Sequence, residues 1–415
     1  MKNKIVVLFV VFMLVFASFA FAGGKQEQAE ESGAAEEAAS TEEAEAEESG
    51  KVVVDKWEIP FLDVLTGPIA GIGEYLLWGA ERAAEEINAE GGIAGKPVEI
   101  VAIDTGMEPN KGVVEMAKLA EGDALTVMGP VPEPVIMAAM PTAIENGLFA
   151  FTATTSYEYA AEFFPWAISW FSPTQEKLPP IVTEWAERTG VTKVVQFVEN
   201  YGPWPGMAEA HVKGLTAADV EVGSDVELPT DAVTFDTYIV NALKQDPDGL
   251  VMACNAEKAA KIIKALKARG WEDMEKILIF NSADDAALYT TGGDALNGTM
   301  IYNYIDSTLD TPRWNAYKEA YMEDHDGMSP PSLSTHYYDA VYMIKEAIEN
   351  TGITGDPDKL QEERKKIRDY CEDVNDFEGL MFSWSMENFT PTDKPLYLFE
   401  IQDGQKEFVA EVRPD

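Results

Sequence analysis

The chain has 415 residues, 46% hydrophobic and 10% aromatic, a globular composition with length enough for two domains with sizeable cores. Acidic residues outnumber basic ones 73 to 31, and the formal charge of −42 opposes binding to nucleic acid or to an anionic membrane surface. Nucleic acid is thereby excluded as a partner, and the charge reads as the solvated surface of an exported protein.

Export is written at the N-terminus. Lys2 and Lys4 precede an apolar run from Ile5 to Phe16, and Ala20 and Ala22 stand ahead of Gly23, the pattern of a secretory signal peptide over residues 1–22. The run is shorter than the roughly 20 residues of a spanning helix, although an uncleaved N-terminus would tether the protein to the membrane. From Gly23 to Gly50 there are ten Glu, one Lys and no apolar residue larger than Ala. Such a segment buries too little to offset its ordering entropy, so an acidic, disordered tether is expected, without the lipid-carrying Cys that often precedes one. The expected location is periplasmic or extracellular.

After Lys51 strands and helices alternate. "KWEIPFLDVL" is a strand, followed by a helix from about Glu74 to Asn88 with Leu76, Ala80, Ala83, Ala84 and Ile87 on one face and Gly91-Gly92 as its stop. "PVEIVAID" is a strand, "NKGVVEMAKLAE" a helix, "ALTVMG" a strand, "EPVIMAAMPTAIENG" a helix interrupted by Pro141, and "LFAFT" a strand. The alternation restarts near Pro173 with the strands "KVVQFV", "VEVGSDVEL", "DGLVMAC" and "KILIF", each separated from the next by a helical stretch. Long helices at about Arg313–Glu323, Ser334–Asn350 and Pro357–Tyr370 follow, then a β-rich end, "FEGLMFSWS" and "PLYLFEIQDGQKEFVAEV", with Asp403-Gly404 as a hairpin turn. The fold class is α/β, two parallel-sheet units in tandem.

Tests for chemistry come back empty. Gly71-Ile72-Gly73 opens a helix as a dinucleotide loop would, but Leu76 replaces the third glycine and the acidic residue that would hold a ribose, Asp104, lies too far on. "GGIAGK" imitates a phosphate loop but follows a helix. There is no nucleophile elbow and no H-E-x-x-H pair, and His211, His325 and His336 lack metal-ligand spacing. Cys254 and Cys371 read as isolated buried thiols, although export would permit a disulfide. No enzyme, metal or cofactor is indicated.

What remains is a cleft. In open α/β sheets ligands sit beyond the carboxyl ends of the strands, and two facing lobes enclose a small molecule. The polar residues at those ends are Glu133, then Ala153, Thr154, Thr155 and Ser156 in "FTATTS" in the first unit; in the second they are Asn200 and Tyr201, Asn255, and Asn281 with Asp284. Tyr157 directly follows the threonine loop, and Ile72 stands at the rim. The other aromatics from Tyr159 to Phe171 read as packing at the lobe junction.

At these residues the chain resembles the branched-chain amino-acid-binding family of ABC-transporter substrate-binding proteins, the type I periplasmic binding fold. The matching text runs from "GPIAGIGEYLLWGAERAAEEINAEGGIAGKPVEIVAID" through "VMGP", "LFAFTATTSYE", "VENYG" and "GGDALNGT" to "STHYYDAVYMIKEAIE". The resemblance implies two Rossmann-like lobes joined by a three-crossing hinge, with lobe 1 from residues 51–172 and 303–383, and lobe 2 from 173–302 and 384–415. It implies that Thr155 and the backbone at Ala153 hold the polar end of an amino-acid-like ligand, that Tyr201 covers it, and that a position near Asn255 and Asn281 or Asp284 reach from the second lobe. Glu133 departs from the family's serine: either the ligand presents a donor or cation there, or Glu133 caps the helix that follows.

The expected function is an exported, monomeric solute receptor that delivers a small polar or amino-acid-like ligand to ABC permease membrane subunits. A sensory receptor serving a signalling partner, or an NAD-dependent α/β enzyme, are the alternatives.

Overall fold

The computed structural model describes residues 51–154, 162–169, 177–201, 204–331, 333–392 and 394–413. The signal peptide, the acidic tether and the sites expected at Thr155, Ser156 and Tyr157 lie outside them. Val52–Asp415 makes one compact unit.

The first sheet is parallel throughout. Its strands are β1 (Trp57–Asp63), β2 (Val98–Asp104), β3 (Val127–Met128), β4 (Ala150–Thr152) and β5 (Ala167–Ser169), in the order β2-β1-β3-β4-β5. Apolar side chains on both faces of β1, such as Ile59, Phe61 and Leu62, are buried because helices cover the sheet on both sides. Those helices are α1 (Ala70–Ala89), α2 (Pro109–Glu121) and α3 (Glu133–Glu145).

The second sheet is built around β6 (Lys193–Glu199), β9 (Gly249–Ala253), β10 (Ile277–Ile279) and β11 (Met300–Asn303), parallel neighbours in the order β11-β10-β9-β6. The helices α4 (Pro179–Thr189), α5 (Trp204–Ala217), α6 (Asp236–Leu243), α7 (Ala256–Ala268) and α8 (Ala286–Gly292) are threaded between these strands. The chain then returns to the first lobe with α9 (Pro312–Asp324), α10 (His336–Thr351) and α11 (Leu360–Tyr370), where the Tyr337 hydroxyl donates to the Phe151 carbonyl at 2.9 Å. A small antiparallel sheet over Val374–Pro391 packs Phe389 against Phe149 and Phe164. Finally the hairpin Leu396–Gln402 and Gln405–Val412 adds antiparallel strands to β11. The fold is therefore two Rossmann-like lobes with parallel-sheet cores, between which the chain passes three times: after β5, after β11 and after Pro391.

Local chemistry adjusts several expected boundaries. α1 starts at Ala70, four residues before Glu74, and α3 runs unbroken through Pro141. "VEVGSDVEL" is two short strands, β7 (Glu221–Val222) and β8 (Val226–Leu228). Gly223 between them is wedged so tightly that a Cβ would lie 2.7 Å from both Val195 and Gln245. "FEGLMFSWS" also divides, its central "GLMF" forming a bend between Val374–Glu378 and Ser383–Glu387. Asp403 and Gly404 take φ of 50° and 74° in the tight turn where Gln402 pairs with Gln405. Cys254 and Cys371 are both buried and free.

The glycines that imitate a nucleotide loop have a packing role. A Cβ on Gly73 would stand 2.2 Å from the Val64 carbonyl oxygen, so α1 can rest on the end of β1 only if residue 73 lacks a side chain. Gly71 has nothing within 4 Å. Gly73→Ala should lower stability by about 1–3 kcal/mol through the forced backbone shift. Gly71→Ala should leave the melting temperature unchanged or raise it, through better helix propensity. Thermal denaturation of the pair checks this, and equal effects at both positions would sink the packing account.

Candidate functional site

The carboxyl ends of both sheets meet. Tyr201, two residues past the end of β6, donates its hydroxyl to the Met107 sulfur of the first lobe at 3.6 Å. Tyr75 on α1 is buried within reach of the charges of Asp284 and Asp285 in the second lobe; burial first, and then those charges, push its hydroxyl well above the usual range.

In the first lobe, β1 ends in Asp63 and β2 in Asp104. Asp104 is the carboxylate a nucleotide site would have used for ribose, yet it holds the β1–α1 turn. One of its oxygens accepts from the backbone N–H groups of Leu65 at 2.9 Å and Gly106 at 2.9 Å, and the other from the Thr66 hydroxyl at 2.7 Å. Burial works to raise its pKa, but these donors and Lys111 prevail and hold it below the ordinary carboxylate value. Asp63 is fully buried; Oδ1 accepts from the Val64 N–H at 2.7 Å and Oδ2 has no partner. Removal from water, aided by the charge of Asp104 and opposed by the Val64 N–H, pushes Asp63 up to about 7.

Glu133 is the first residue of α3, just past β3. Its Oε1 accepts the Thr154 hydroxyl at 2.9 Å, joining the loops that follow β3 and β4, and it makes no capping bond to the helix backbone. Burial raises its pKa and the Thr154 bond opposes the rise. Thr154 is buried, with Ala153 beside it. Ile72 lies half-buried in the first turn of α1 and packs on the core.

In the second lobe, Asn255 caps α7 by accepting from the Lys258 N–H at 3.1 Å, and its own backbone N–H donates to Glu199 at 3.0 Å. Glu199 ends β6 and forms a buried ion pair with Lys258, whose ammonium also donates to the Thr230 carbonyl at 2.9 Å. Asn281 follows β10 with 2% of its surface exposed, and neither its amide oxygen nor its amide nitrogen finds a protein partner. One turn later Asp284 is taken up by Lys406 at 2.5 Å, Tyr289 at 2.5 Å and Asn303 at 3.1 Å. Asp284 lines a cavity of about 570 Å³ with Lys318, Met322 and Met328, at the edge of the meeting lobes.

The structure thus joins Glu133 to Thr154 and leaves Asn281 open, while Asn255 and Asp284 are held by their own neighbours. Sequence reasoning missed Asp63, Met107 and Glu199. The ends of "PFLD" and "VVQFVE" carried the signal for the two acids. Among the described residues no group of three or more His, Cys, Asp or Glu could hold a metal ion, and no helix is long and apolar enough to cross a membrane.

A family model described as periplasmic binding protein matches residues 56–406. The chain belongs to the periplasmic binding protein family. It is a ligand-capturing receptor of that type, and members of the family are exported binding proteins. The Leu/Ile/Val-binding protein BraC3 of Rhizobium johnstonii is 24% identical over 308 residues, 71% of this chain and 80% of that protein. The Leu/Ile/Val-binding protein of Escherichia coli is 22% identical over 276 residues, covering 65% and 74%. Among solved structures, the leucine-binding protein LivK of Thermotoga maritima shares the fold with a TM-score of 0.75 at 21% identity, covering 86% of this chain and 99% of that one. The resemblance read in the "INAEGGIAGK" block is therefore a true family membership.

Asp63 gives this binding protein a pH signature. Its folded-state pKa of about 7 stands above the ordinary 3.8, so its contribution to stability is complete below 3.8 and lost as pH rises through about 7. Asp63→Asn should remove a downward slope in that window of at most about 1.4 kcal/mol per pH unit. Chemical denaturation of wild type and variant from pH 4 to 8 checks it, and parallel curves would refute it.

Proposed function

We propose that this protein is an exported, non-enzymatic receptor that closes two lobes on a small polar or amino-acid-like ligand and delivers it to the membrane subunits of an ABC importer. The observation that carries the reading is Asn281, a buried side chain at a strand end whose amide oxygen and nitrogen both lack protein partners. A buried polar group left unpaired costs about 1–3 kcal/mol, which a ligand in the cleft would recover.

Glu133, Thr154 and Tyr201 are the accompanying contacts, with the backbone of Ala153 and the side chain of Ile72 at the rim. Thr155, Ser156 and Tyr157, which follow Thr154 in the sequence, belong to the same proposed set of contacts. Asn255 and Asp284 support the site from behind through Glu199 and Lys406. Closure is a population shift: a ligand bonding both lobes favours the state in which they meet, and its differential affinity drives the motion. Support for the permease partner comes from family membership. Residues 1–22 act as the signal peptide, 23–50 as the acidic tether, and the receptor works as a monomer without a cofactor.

Calorimetric titration with a panel of amino acids, amides and amines tests the site. Asn281→Ala should weaken the best ligand at least tenfold. Thr154→Ala should remove most of the ligand-induced rise in melting temperature. Undiminished binding in both variants would place the ligand elsewhere.

A further inference from the structure

The charges at the strand ends are unequally satisfied, and this bears on which end of a ligand the first lobe accepts. Lys258 is committed to Glu199 and the Thr230 carbonyl, and Lys406 to Asp284. Lys111, near the first-lobe turn, stands 3.9 Å from Asp104. Glu133 has no basic partner among the described residues; its one bond is the hydroxyl donated by Thr154. Glu133 is half-buried, and its place as the first residue of α3 leaves it at the carboxyl edge of the first sheet. On the other lobe Asn281 is neutral and offers both a donor and an acceptor.

From this geometry we infer that the ligand turns a nitrogen-bearing end, an ammonium or a carboxamide N–H, towards Glu133 and brings no carboxylate there. The inference rests on the cleft reading above. A carboxylate accepts hydrogen bonds and cannot donate them, so Glu133 rewards only donors. Two carboxylates about 4 Å apart at an effective dielectric of about 20 repel by the equivalent of about a thousandfold in affinity. Among the described residues, Lys258, Lys406 and Lys111 at these strand ends each already stand beside an acid and do not offset that repulsion. An ammonium gains the same charge as attraction, and a carboxamide gains a charge-assisted hydrogen bond. The Thr154 hydroxyl, donating to Oε1, holds the carboxylate in place for it.

The probes are leucine, leucinamide, isovaleramide and isoamylamine, titrated calorimetrically into the wild type, Glu133→Gln, Glu133→Ser and Asn281→Ala. Leucinamide differs from leucine only in replacing the carboxylate by a carboxamide, so the pair isolates the end in question. The wild type should bind leucinamide at least tenfold more tightly than leucine, and Glu133→Ser should narrow or reverse that preference. Glu133→Gln should keep isovaleramide within a few-fold and lose isoamylamine at least tenfold if the bound end is cationic. Isovaleramide bound by the wild type with isoamylamine excluded identifies a neutral amide instead. Leucine binding as tightly as leucinamide in the wild type, while Asn281→Ala still abolishes it, overturns the inference and leaves the cleft reading standing. A wild type that takes up none of the nitrogen probes also overturns it. Binding indifferent to Glu133→Gln, Glu133→Ser and Asn281→Ala alike defeats the cleft reading itself.

Discussion

Acidic side chains at the carboxyl ends of parallel strands must each be reconciled with burial, and the rest of the structure is arranged around those solutions. Asp63 and Asp104 end β1 and β2, Glu199 ends β6, and Glu133 and Asp284 stand just past β3 and β10. Asp104 is satisfied by backbone N–H groups and the Thr66 hydroxyl, which fixes the turn into α1. Glu199 and Asp284 are each paired with a buried lysine, an arrangement that holds only because further donors from Asn255, Tyr289 and Asn303 complete it. Asp63 gains a single N–H and keeps its proton more tightly. Glu133 takes one hydroxyl and has no basic partner among the described residues. Four of these acids are held by donors or lysines of their own lobe, and the fifth, Glu133, by the single Thr154 hydroxyl.

That division explains how much of the candidate site was legible in the sequence. Strand ends can be located from apolar runs, so Glu133, Thr154, Tyr201 and Asn281 could be picked out by position alone. Whether such a residue is open or occupied depends on partners distant in the chain. Lys406 reaches Asp284 across 122 residues, and Lys258 reaches Glu199 across 59. Periodicity carries no trace of either, so Asp284 and Asn281 look alike in sequence and differ sharply in space. The lobe architecture was legible for the opposite reason: each strand–helix unit is local, and its hydrophobic face repeats within a few residues. Where the strands were overcalled, as in "VEVGSDVEL", a single crowded glycine divided them, and crowding is a tertiary fact.

The glycine pair of the first helix shows the same limit. Gly71 and Gly73 have the spacing of a phosphate loop, but only Gly73 is under steric demand, and the demand comes from the Val64 carbonyl. The strand-end Asp104 is too busy with the turn to serve a ribose. A motif defined by residue identity alone cannot tell close approach of a cofactor from close approach of the protein's own backbone. What marked the family was the helix stop "INAEGGIAGK", where the backbone groups of Ile93 and Lys96 bond one another and Asn88 ties the turn to Val98.

The contact between the lobes is consistent with ligand-controlled closure. Tyr201 meets Met107 through a hydroxyl-to-sulfur bond at 3.6 Å, a weak interaction between side chains that water could replace at little cost. The buried ion pairs at the strand ends lie within the second lobe and do not bridge the cleft, so opening need not break them. These two strong ion pairs thus stay inside a lobe, while Tyr201 and Met107 meet across the lobes through a weaker contact. A molecule that bonds both sides then supplies most of the difference between open and closed. A receptor whose lobes were already joined by a strong ion pair would respond far less to its ligand.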